Sequence, residues 1–121
     1  MLQSKINICI NPQEYDDQTI TIGRRETYGT HQVIFDCADV FKAFGGPDSF
    51  SRVDLMYCLP NGEIRSIPLN MDRNNELLWN VSTEDTERKG NAECELYFYF
   101  KKGGLWKSNI FRVRIKPDIG R

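Results

Sequence analysis

Apolar residues fall two apart in one short run after another. Ile6, Ile8 and Ile10 bracket Asn7 and Cys9, and Ile20 and Ile22 alternate with threonines. Val33, Phe35 and Cys37 line up, as do Val53, Leu55, Tyr57 and Leu59, and then Leu77, Trp79 and Val81. In an extended chain successive side chains point to opposite faces, so each run gathers its apolar groups on one side. The pattern makes half-buried strands and leaves no room for long amphipathic helices, whose period is about 3.6. Turn residues separate the runs: Asn11-Pro12, Gly29, Gly45-Gly46-Pro47, Pro60-Asn61-Gly62 and Gly103-Gly104. One helical segment is expected, Asp39 to Phe44, where Val40, Phe41 and Phe44 fit a helical period before two glycines end it. About seven to nine short strands at this spacing predict a sandwich or a barrel. A length of 121 residues is one domain with a core of its own.

Two hairpins can be registered by counting. Gly103-Gly104 taken as a two-residue loop sets Lys102 opposite Leu105. Stepping outward, Leu96 meets Phe111, Cys94 meets Val113 and Ala92 meets Ile115. On the other face Glu95 meets Arg112 and Glu93 meets Arg114, pairs that contribute roughly 0.2–1 kcal/mol each. Pro60-Asn61-Gly62 suits a three-residue loop with glycine in the left-handed position, which sets Leu55 opposite Ile67 and Val53 opposite Leu69. Pro68 then falls late in the return strand and donates no hydrogen bond, so that strand is expected at a sheet edge.

The first register sorts the segment LYFYFKKGGLWKSNIFRV into faces. Phe98 and Phe100 share the parity of Leu96 and point to the core. Tyr97 and Tyr99 point outward, opposite Ile110 and Ser108, and Trp106 joins them opposite Lys101. The expected candidate site is thus a strip of Tyr97, Tyr99, Trp106 and Ile110 beside Lys101. Such a strip serves as ordinary strand surface covered by its own chain, as a protein interface, or as a platform for sugars or bases.

The chain's chemistry narrows the function. A formal net charge of −1 supplies no global basic field for nucleic acid or an anionic membrane, and no apolar run is long enough to span a bilayer. The start, MLQSKINICINPQ, lacks the continuous apolar stretch of a secretory signal, so synthesis in the cytosol without general export is expected. Cys9, Cys37, Cys58 and Cys94 are far apart and His31 is the single histidine, which is not the close ligand pairing of a zinc site. Four reduced thiols are expected, as strand residues of which at least some are buried small apolar groups. His31 sits in no nucleophile motif, and no glycine loop leads into a helix to cradle a phosphate. The run from Ser82 to Lys89 reads as a solvated loop. No catalytic residue, metal site or cofactor is expected.

The second half carries a resemblance. Leu59-Pro60-Asn61-Gly62, the stretch Trp79-Asn80-Val81-Ser82-Thr83-Glu84-Asp85-Thr86 leading to Gly90, then Glu93 to Phe100, and Ser108-Asn109-Ile110-Phe111-Arg112-Val113 follow in order. Over roughly residues 50–116 this order resembles the N-terminal domain of phage baseplate upper proteins and related tail-fibre domains. The resemblance implies an antiparallel immunoglobulin-like β-sandwich, here with one short helix over residues 1–121. It implies a non-catalytic structural or adaptor module of a phage or prophage tail, bound to baseplate subunits or to itself and carried in the virion. The alternative is a carbohydrate-binding module using Tyr97, Tyr99 and Trp106.

Overall fold

The computed structural model describes residues 2–10, 19–23, 31–59, 61–71, 75–81, 90–108 and 110–116. The expected turns at Asn11-Pro12 and Gly29 and the run from Ser82 to Lys89 lie outside them. The described residues form ten strands: β1 (Leu2–Asn7), β2 (Thr19–Gly23), β3 (His31–Asp36), β4 (Phe50–Cys58), β5 (Ile64–Pro68), β6 (Asn70–Met71), β7 (Glu76–Asn80), β8 (Gly90–Phe100), β9 (Leu105–Lys107) and β10 (Phe111–Lys116). One helix, α1 (Ala38–Phe44), follows β3. The count exceeds the expected seven to nine because β6 and β9, of two and three residues, are too short to show a period.

The strands form two sheets, β1-β3-β7-β6 and β2-β10-β8-β4-β5, with β9 also paired to β8 in the second. This is the expected all-β sandwich, with both sheets mixed. Most pairs are antiparallel, but β1 runs parallel to β3 and β2 parallel to β10. β2 lies in the other sheet from the strands on either side of it in sequence, so β1 and β3 meet across a crossover, not a hairpin.

The alternating runs deliver most of their apolar residues to the space between the sheets, with Ile10 an exposed exception. Val33, Phe35, Leu77 and Trp79 from one sheet are buried against Leu55, Tyr57, Leu96 and Val113 from the other. Phe35 meets Phe111 at 5.4 Å between ring centroids and Tyr57 meets Trp79 at 5.2 Å, both across the two layers. Helix α1 closes one end. Gly45 ends it with φ +91°, a conformation glycine adopts without strain, and the Gly46 N–H donates to the Phe41 carbonyl at 2.6 Å. Its buried Phe41 then reaches Phe50 and Phe98, with centroids at 5.7 and 6.2 Å.

The β4–β5 hairpin matches the counted register, with Leu55 opposite Ile67. The Leu59 N–H donates to the Glu63 carbonyl and Leu69 pairs with Val53, so residue 68 directs its backbone nitrogen away from β4. Pro68 therefore lacks a donor where none is needed, on a strand that does lie at the sheet edge.

The Gly-Gly hairpin corrects the count. The Phe100 N–H donates to the Gly104 carbonyl at 3.1 Å and the Gly103 N–H to the Phe100 carbonyl at 3.0 Å, which closes a three-residue loop, Lys101-Lys102-Gly103. Trp106 consequently pairs with Phe98 in place of Lys101, three positions from the expected register. An odd displacement turns a strand over, so Trp106 moves to the inner side and Leu105 and Lys107 to the outer. A second irregularity follows at Ser108, whose N–H donates to the Leu96 carbonyl and whose Oγ accepts from the Leu96 N–H at 2.8 Å. Beyond it Phe111 faces Cys94 where Leu96 was expected, two positions off. An even displacement preserves faces, so Ala92, Cys94, Phe111, Val113 and Ile115 are buried as expected although their partners differ. Glu93, not Glu95, is opposite Arg112, and Asn91, not Glu93, is opposite Arg114.

No disulfide joins the cysteines. Cys37 and Cys94 are buried, while Cys9 and Cys58 are half-buried. Burial pushes the Cys37 thiol far above its ordinary range, and the charges of Asp36 and Glu76 add to the shift. A raised thiol pKa means that the unfolded state releases this proton first. The stability tied to Cys37 is therefore complete below about pH 8.5 and falls as pH rises beyond it. Iodoacetamide near pH 8 is expected to label Cys9 and Cys58 in the folded protein and all four thiols in urea. Fewer than four labelled in urea without reductant, or rapid labelling of Cys37 in the fold, would refute this assignment.

Candidate functional site

The outer face of the six-stranded sheet is built from residues that alternate with the core. Along β8 these are Glu93, Glu95, Tyr97 and Tyr99. Two rows cross the strands on this face. Asp54, Tyr97 and Lys107 form one, and Arg52, Tyr99 and Leu105 the other.

A bulge decides the second row. Phe50 pairs with Phe100, yet Arg52 pairs with Tyr99, so one extra residue is inserted at Ser51. Phe50 and Val53 are both buried although they are three apart, and the insertion swings Arg52 outward. Its guanidinium carbon stands 4.5 Å from the Tyr99 ring centroid, and its Nε lies 3.3 Å from Asp54 Oδ2. Asp54 is a carboxylate with a side chain only 7% exposed, whereas Arg52 is 63% exposed. In the other row the Lys107 ammonium sits 4.8 Å from the centre of the Tyr97 ring. The two tyrosines meet edge to face at 6.5 Å and 61°.

Apolar groups surround this pair. Of the four large apolar residues exposed among the described residues, Ile64, Leu105 and Ile110 belong to this face, and Ile10 does not. Ile64 and Ile110 line a hollow of about 180 Å³ with Met56, Cys58 and Tyr97, where Glu93 and Glu95 also reach.

Tyr97, Tyr99 and Ile110 therefore share one face, as expected from parity. Trp106 is a correction. It is half-buried on the inner side, 5.3 Å from Phe98 and 5.9 Å from Phe44 of α1 by ring centroids. The helix thus covers Trp106, and not the tyrosines. Ser108, expected on the outer face opposite Tyr99, is buried. Lys101 stands apart in the hairpin loop, where it lines a different hollow of about 560 Å³ with Phe44, Asp48, Ser49 and Phe100. Counting in strict alternation missed Arg52, Lys107, Leu105 and Ile64. The three-residue spacing of Phe50 and Val53 is the signal for Arg52.

Each tyrosine carries a cation over one ring face. Tyrosine and arginine flanked by aliphatic groups are the favoured anchors of protein interfaces. Among the described residues no three His, Cys, Asp or Glu side chains gather in a way that would hold a metal ion. No helix among them is long and apolar enough to cross a membrane.

The fold and this face define a two-layer β-sandwich domain with one aromatic, partly apolar outer surface. Among solved structures, the fold is shared with a domain of a phage protein. The chain is similar to the N-terminal domain of phage TP901-1 ORF48, with a TM-score of 0.64 and 16% identity over 97% of this chain and 100% of that one. At that identity the likeness is one of fold. No protein-family model matches the chain, and neither does any curated protein.

Proposed function

We propose that this domain is a non-catalytic assembly module of a phage or prophage tail, joining protein subunits through the outer face of its six-stranded sheet. The observation that carries the reading is the clustering of Tyr97, Tyr99, Ile64, Leu105 and Ile110 on one face, where water is a poor permanent neighbour for so much apolar surface. The full-length likeness of fold to a phage-protein domain supports the setting. The occupant is a tail or baseplate subunit or a second copy, and the module's place is the virion.

Deletion of the gene from the phage or prophage that encodes it is expected to stop assembly of complete tails, as seen by electron microscopy. Wild-type protein supplied in trans restores them, and a Tyr97→Asp/Ile110→Asp variant that still folds does not. Full rescue by that variant overturns the proposed interface.

A further inference from the structure

Resting on the interface reading, we propose that the partner docked on this face is a protein segment that presents a carboxylate, and that Arg52 grips it. The geometry of Arg52 is that of a group held in advance. The bulge at Ser51 aims it outward, the Tyr99 ring supports the guanidinium plane at 4.5 Å, and Asp54 Oδ2 takes the Nε edge at 3.3 Å. A guanidinium carries five donors in a planar fork, and this side chain remains 63% exposed, so donors of the fork face outward for an incoming anion. Holding the plane beforehand removes most of the ordering cost that a free surface arginine would meet on binding.

Charge points the same way. In the two crossing rows Arg52 and Lys107 supply two cations against the one carboxylate of Asp54, while Glu93 and Glu95 lie further along β8 past Tyr97. The chain as a whole carries −1, so this end of the face is positive against the overall balance.

The same face excludes polyanions as the preferred ligand. Glu93 and Glu95 continue the β8 row beyond Tyr97, so a phosphodiester or sulfated chain laid along the strip meets carboxylates within two residues. Ile64, Leu105, Ile110 and Met56 ask for apolar side chains beside the anion. An acidic residue among apolar ones is what a protein segment supplies.

The test is a titration of the isotope-labelled domain, followed by NMR, with acetyl-Ser-Leu-Glu-Leu-Ser-amide, acetyl-Ser-Leu-Lys-Leu-Ser-amide, a heparin hexasaccharide and (dT)8. The acidic peptide is expected to shift the signals of Tyr97, Tyr99, Leu105 and the Arg52 Nε–H, and the lysine peptide to leave them in place. Arg52→Ala is expected to weaken the acidic peptide by at least about tenfold, with only partial recovery in Arg52→Lys, which keeps charge and loses the fork. If loss of the partner of buried Asp54 unfolds Arg52→Ala, the Arg52→Ala/Asp54→Asn double variant serves in its place. Absence of shifts in the strip, equal binding by wild type and the Arg52 variants, or tighter binding of heparin or (dT)8 at these residues overturns the proposal. Tail assembly separates this failure from that of the interface itself. If Tyr97→Asp/Ile110→Asp blocks assembly and Arg52→Ala does not, the face stands and the carboxylate partner falls. If neither blocks it, both fall.

Discussion

Phe98→Ala is expected to destabilise the domain by about 3–5 kcal/mol, read as a lower urea midpoint at unchanged slope. Phe98 has no exposed surface, and its ring meets Phe50 and Trp106 at 5.3 Å each and Phe41 at 6.2 Å. Those neighbours come from β4, β9 and α1, three elements that cannot all collapse into one cavity. A loss of this size is a large share of the roughly 5–15 kcal/mol that holds a domain together. Tyr97→Ala, one residue away on the other face, is expected to cost less than about 1 kcal/mol beyond its cation contact. Equal losses for the two variants would show that β8 is not sided as described.

Ser108→Ala is expected to cost about 1–3 kcal/mol, although only one oxygen is removed. Ser108 is buried, and its Oγ accepts the Leu96 N–H at 2.8 Å in the place a backbone carbonyl would take in an unbroken ladder. Without the oxygen that amide is left buried and unpaired. The comparison is Ser51→Ala. Ser51 Oγ donates to the Tyr99 carbonyl at 3.3 Å, but the group is exposed, so water replaces the bond and the loss stays within about 0.5 kcal/mol. Matching small losses at both positions would remove the reason given for the register change between β9 and β10.

These two residues also divide what local pattern decides from what it does not. The burial of Phe98, Leu96, Val53 and Trp79 follows from alternation alone, because side chains two apart share a face in any strand, whatever it pairs with. The register of the β4–β5 hairpin was equally legible, since the one glycine at the left-handed position, Gly62, admits one natural register. Gly103 and Gly104 both take positive φ, and two adjacent glycines are compatible with loops of two residues or three. That choice belongs to the packing of Trp106 against Phe98 and against Phe44, the latter from a distant part of the chain.

The candidate site divides in the same way. Tyr97, Tyr99 and Ile110 were placed outward by parity, and Ile110 keeps its face because two irregularities, of three positions and one, leave β10 displaced by an even number. Trp106 lies between those irregularities and was placed on the wrong side. The outward turn of Arg52 was written in the broken spacing of Phe50 and Val53, but its seat on Tyr99 and Asp54 required knowing that β4 lies beside β8. The sequence by itself determined which side of the longer strands is dry, since that depends on neighbours one and two residues away. Which strands lie side by side, including the parallel pairs β1–β3 and β2–β10, was decided only in the tertiary structure. Those pairings are selected by the fit of whole faces across the core, and no local period encodes that fit.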